Sequence, residues 1–118
     1  MNMSFESRSM LGILTVAENR IDASVAIAFK DRFRDLVAGH DGDVILDLGQ
    51  VAFIDSSGLG AIVAARKLLG GARKLILAGL TPAVNKVMTL TRMHMVFPIH
   101  ANTETAVAAQ IDTAQAAQ

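Results

Sequence analysis

Apolar residues fall into alternating blocks with two different periods along the chain. Ser4 to Arg8 and Leu11 to Ala17 predict two short strands joined by a turn at Ser9-Met10, with Ile13, Leu14 and Val16 as apolar positions of the second. Glu18-Asn19-Arg20-Ile21-Asp22 interrupts them; Asn19 tolerates positive φ and Asp22 is a good helix cap. From about Ala23 to Ala38 the period becomes helical. Val25, Phe29, Phe33, Leu36 and Val37 share one face, Lys30, Asp31, Arg34 and Asp35 the other, and Gly39 ends the helix.

The stretch that organises the rest follows. Val44, Ile45, Leu46 and Leu48 lead through Asp47-Leu48-Gly49-Gln50 into Val51, Phe53 and Ile54, a nearly continuous apolar run that predicts a buried strand. It breaks at Asp55-Ser56-Ser57-Gly58-Leu59-Gly60, and a helix is expected from about Ser57 to Leu69, starting on a serine and stopped by Gly70-Gly71. Arg73 to Ala78 is a further strand. Thr81-Pro82 opens a short helix with Val84, Val87, Met88 and Thr91 on one face. Val96 to Ile99 predicts a last strand, and Asn102 or Thr103 caps a final helix carrying Val107 and Ile111.

Strands alternating with helices imply an α/β fold with a mixed, mostly parallel sheet of about five strands and about four helices. One domain over residues 1–118 is expected, its core at about 3–111 and its alanine- and glutamine-rich tail, 112–118, frayed.

Composition removes several classes of function. The 118 residues are 52% hydrophobic and 19% charged, which suits a folded domain. Lysine plus arginine and aspartate plus glutamate are 11 each, and tyrosine and tryptophan are absent, a poor inventory for binding nucleic acid or an anionic membrane. Without cysteine there is no thiolate metal site, and His40, His94 and His100 lack ligand-like spacing, so neither metal nor cofactor is expected. No stretch approaches the roughly 20 apolar residues of a membrane span. The first residues do not read as a secretory signal, so a cytoplasmic protein is expected.

The chemistry then concentrates at Ser56. A helix start leaves N–H groups unpaired and carries partial positive charge, so it suits a cap hydroxyl or a bound anion. Ser56 is read as a site for phosphorylation. The bland reading of Asp-Ser-Ser-Gly is a turn and helix cap, and both can hold together. A hydrolase with Ser56 as nucleophile needs an oriented base within reach and a Gly-x-Ser-x-Gly elbow, and the sequence offers neither.

The element order together with Asp55-Ser56-Ser57-Gly58-Leu59-Gly60 resembles the STAS domains of bacterial anti-sigma factor antagonists. Ile21-Asp22, Asp47-Leu48 and Thr81-Pro82-Ala83-Val84 are secondary matches, and the resemblance covers about Met3 to Gln110. It implies a non-enzymatic regulator in a partner-switching pathway. The unmodified form would bind an anti-sigma factor that is a serine kinase of histidine-kinase-like ATPase fold. That kinase would phosphorylate Ser56 and so break the complex, and a metal-dependent serine phosphatase would restore it.

The resemblance also places Asp22, Asp55, Ser57, Gly58 and Leu59 at the partner surface. Structurally, Asp22 reads equally as a cap and Asp55 as a turn former. Two departures from the family pattern stand out: Asn19-Arg20 precedes Ile21-Asp22 where glycine and an acidic residue are usual, and Arg92 stands where glycine is common. The competing role is a STAS adaptor subunit that is never phosphorylated, for instance of a lipid ABC transporter.

Overall fold

The computed structural model describes the backbone of residues 1–116 and side chains through residue 111; of the 112–118 tail expected to fray, residues 117–118 lie outside the described residues. β1 (Met3–Arg8) and β2 (Leu11–Val16) form an antiparallel hairpin, Met3 opposite Val16 and Arg8 opposite Leu11. β2 then pairs in parallel with β4 (Val44–Asp47), β4 with β6 (Leu75–Ala78), and β6 with β7 (Ile99–His100). This is the expected mixed, mostly parallel five-stranded sheet, in the order β1-β2-β4-β6-β7.

Successive side chains of a strand point to opposite faces, so a strand covered on both sides is apolar throughout. That explains Val44-Ile45-Leu46 and Leu75-Ile76-Leu77. Val44, Leu46, Leu75 and Leu77 join the larger core with α1 (Ala26–Val37), α2 (Ser56–Leu69) and α3 (Pro82–Leu90), which contribute Phe29, Phe33, Ile62 and Met88. Ile45 and Ile76 face the other way, where Ala106 and Val107 of α4 (Thr103–Ala116) cover them. These four helices complete the expected α/β layering.

The long apolar run is not one strand. Asp47 Oδ1 accepts from the Gly49 amide at 2.9 Å and Oδ2 from the Thr103 hydroxyl at 3.2 Å, and the amide of Val51 turns back to the Leu48 carbonyl at 3.0 Å. These bonds take the chain out of the main sheet after β4. The remainder, β5 (Phe53–Ile54), pairs in parallel with β3 (Arg20–Ile21), where the sequence pattern predicts only a break. The two-residue strands form their own small sheet, Ile21 and Ile54 turned inward.

Other boundaries shift for local reasons. Asp22 does not cap α1; the Asp22 carbonyl accepts from the Val25 amide at 3.1 Å, a turn that delays the helix to Ala26. Asn19 does not take positive φ; among the described residues the non-glycine ones that do are Ser9 in the β1–β2 turn and Arg92 after α3. Most of Val96–Ile99 is not strand either. A 3-10 turn at Met93–Met95 carries the chain into the buried Phe97, and β7 starts only at Ile99.

Candidate functional site

The site is built where the small sheet meets the start of α2. Asp55 is extended (φ −107°, ψ −175°), so its side chain reaches forward over the first turn, and Oδ1 accepts from the Gly58 amide at 2.8 Å. The carboxylate, and not the serine expected from the sequence, therefore caps α2. Ser56 becomes the first helical residue. Its side chain is exposed, and its hydroxyl has no hydrogen-bond partner among the described residues. Ser57 is also exposed. At these two positions the amides have no partner within the helix, so they and the helix dipole present partial positive charge.

The second oxygen of Asp55 reaches across the chain and accepts from the Ala23 amide at 3.1 Å. One carboxylate thus fixes the α2 start and holds the loop before α1 beside it. Gly58 makes that approach possible. A Cβ at Gly58 would lie 1.9 Å from the Ile21 carbonyl oxygen and 2.9 Å from Ile54 Cγ1, so only a bare α-carbon fits beneath the small sheet. Leu59 is half-buried and packs against the larger core, anchoring this turn from inside.

The Ala23 loop presents its own charge. Asp22 Oδ1 accepts from the Ser24 hydroxyl at 2.5 Å and from the Ser24 amide at 3.0 Å, while Oδ2 lies 3.1 Å from Arg20 Nε. The Ser24 hydroxyl, more than the Ser24 amide or the Arg20 charge, holds the Asp22 carboxyl below its ordinary range against the opposing pull of burial. The Arg20 guanidinium lies over the Phe53 ring, 5.1 Å from its centroid. Phe53, expected inside a strand, is 44% exposed. In a two-residue strand with Ile54 turned inward, its neighbour must face out. Sequence reasoning missed Phe53, because two adjacent apolar residues in so short a strand carry no period that tells the outward one from the inward one.

The five partner-surface candidates therefore separate. Asp55 and Ser57 flank Ser56 in the chain, and Asp55 ties the loop that carries Asp22 to the same helix start, whereas Gly58 and Leu59 shape the turn from below. The arrangement offers an accessible hydroxyl next to the Asp55 cap, on a helix start that Asp55 joins to the loop following Arg20 and Asp22. No base hydrogen-bonds the Ser56 hydroxyl among the described residues. A phosphate on Ser56 would gain from the helix start but lie close to the Asp55 carboxylate, so its charge would be only partly compensated.

Known proteins share this architecture. The putative anti-sigma factor antagonist of Thermotoga maritima superposes with a TM-score of 0.81 at 23% identity, over 91% of this chain and 92% of that one. The anti-sigma factor antagonist of Mycobacterium paratuberculosis gives 0.80 at 24% identity, over 92% of each chain. The phosphorylated form of the Bacillus cell fate determinant SpoIIAA gives 0.65 at 18% identity, over 92% of this chain and 98% of that one. At such identities these likenesses establish the fold. The STAS domain family model matches residues 2–106, nearly the whole chain, and the protein belongs to the STAS domain family.

Proposed function

We propose that this protein is an anti-sigma factor antagonist working by partner switching, as substrate and ligand of other proteins. The unphosphorylated form binds a serine-kinase anti-sigma factor through the surface around Ser56 and Asp22. Transfer of the ATP γ-phosphoryl group to the Ser56 hydroxyl, whose proton is lost, breaks the complex. A metal-dependent serine phosphatase hydrolyses the ester with water and returns the protein to its binding form. One observation carries the reading: Asp55 has taken the cap, leaving the Ser56 hydroxyl exposed and unbonded at the first position of α2.

The energies are of the right size. A phosphate adds about −1.5 to −2 charges at pH 7. Burying that charge unmatched in an interface, or setting it against like charge, costs several kcal/mol. Moving a partner from mostly bound to mostly free takes about 5.5 kcal/mol. One modification at an interface can therefore act as the switch without refolding, and Asp55 and Asp22 already supply negative charge nearby.

The test is incubation with ATP and the cognate kinase, mapping of the modified residue by mass spectrometry, and binding measurements on variants. The phosphate is expected on Ser56. Ser56→Ala should bind the kinase constitutively, and the phosphorylated protein at least about 100-fold more weakly. A phosphate mapped elsewhere, or equal binding by the modified and unmodified forms, would sink the proposal.

A further inference from the structure

The end of α2 remote from Ser56 is strongly basic. A cleft of about 400 Å³ opens there between the last turn of α2, the turn leading to β6, and the segment before β7. Arg66, Lys67, Arg73 and Lys74 all line it, and no lining residue is acidic. Four basic residues from two separate stretches line one concavity of small-molecule size.

Two of the four are fixed. Arg73 donates through Nε to the Leu69 carbonyl at 3.1 Å and through Nη1 to the His40 carbonyl. Lys74 Nζ donates to Gln110 Oε1 at 3.0 Å and lies 4.0 Å from Asp43 Oδ2. Arg66 and Lys67 are exposed and have neither an ion pair nor a hydrogen bond from their side chains among the described residues. Cations in a last helical turn complement the negative end of the dipole, which accounts for Arg66 and Lys67 taken singly. It does not account for Arg73 and Lys74 lining the same cleft from the far side of the turn.

The cleft floor is a second, independent observation. Gly70 has φ +79°, so the turn itself calls for glycine there. Gly71 does not have positive φ, and a Cβ on it would meet nothing within 4 Å. Neither backbone conformation nor packing requires glycine at 71. Its bareness keeps the floor open beneath the cations, with Val96 and Pro98 forming an apolar side.

We propose that Arg66, Lys67, Arg73 and Lys74, around the open floor at Gly71, bind a small, multiply charged anion of the polyphosphate class. Guanidinium forks match phosphate oxygens in pairs, and lysines add point charge. Arg66, Lys67 and Arg73 have no acidic partner among the described residues, and Lys74 shares its charge with Asp43. More than two positive charges therefore remain, beyond what a carboxylate or a single phosphate neutralises, which points to two or more linked phosphates. The site is independent of the Ser56 switch, separated from it by the length of α2, about 20 Å.

Sodium tripolyphosphate titrated into the full chain at about 0.15 M salt, followed by calorimetry and amide chemical shifts, tests this. Saturable one-to-one binding is expected, with shifts confined to residues 66–74 and 96–98. Affinity should fall at least about tenfold in Arg66→Ala/Lys67→Ala and in Gly71→Glu, and stay unchanged in Lys86→Ala and Ser56→Ala. Gly71→Glu adds a carboxylate on an open turn, so its loss of binding would not reflect unfolding. Absence of saturation, or an equal loss in Lys86→Ala, overturns the proposal. So does sedimentation with phosphatidylglycerol vesicles in the absence of tripolyphosphate binding, which would make the patch a membrane contact.

Discussion

Gly58 passes so close to Ile21 that a Cβ on the glycine would stand 1.9 Å from the isoleucine carbonyl oxygen. The clash would be with backbone, so no rotamer change relieves it. Gly58→Ala must therefore push β3 away from α2, and the loop carrying Asp22 with it. The expected cost is about 3 kcal/mol, read as a lower urea midpoint. Amide exchange should be fastest around Arg20–Ser24, and binding to the proposed kinase partner should weaken even though Ser56 is untouched. Wild-type stability in Gly58→Ala would refute this account of the turn.

Asp55 joins two backbone segments through its two oxygens. Asp55→Ala should cost about 1–2 kcal/mol, the range for loss of a helix cap. It should also speed amide exchange at Gly58 and at Ala23. The Ala23 effect distinguishes the two roles, since a simple cap would leave that amide unaffected.

The depressed pKa of Asp22 gives stability a pH dependence of definite sign. Its native carboxyl lies below the ordinary 3.8, so in mild acid the unfolded chain binds the proton first. The contribution is whole above pH 3.8 and is lost as pH falls through the native value. Asp22→Asn should melt lower than wild type at neutral pH, the gap narrowing below pH 3.8. A gap that stayed constant into acid would mean that charge at Asp22 plays no part.

Arg92 holds φ +62°, a conformation costing an L-residue roughly 1–2 kcal/mol and glycine almost nothing. Arg92→Gly gives back part of that gain as extra freedom in the unfolded chain. A net stabilisation of about 0.5–1 kcal/mol is expected in denaturant titrations. Arg92→Ala, still bearing a Cβ, should not share it.

How far the sequence carried is visible at particular residues. Phe29 and Phe33 on one face of α1, and Leu75-Ile76-Leu77 buried between helix layers, follow from period and run length alone. β3 did not, because two residues cannot display a period and Arg20–Ile21 is extended only through its pairing with Phe53–Ile54. The choice of cap was equally local and equally hidden. Asp55 and Ser56 are both good caps, and the extended backbone at Asp55 selects the carboxylate.

Hydrophobic patterning by itself determined the α/β class, most helices and strands, and the serine-bearing chain reversal between Ile54 and Leu59, since burial and turn chemistry act over a few neighbouring residues. Only the tertiary structure decided which oxygen caps α2, why residue 58 must lack a side chain, and that Arg66–Lys67 meets Arg73–Lys74 across a cleft. Those relationships depend on the approach of separate segments to within a few ångströms, a distance set by the packing of the whole domain.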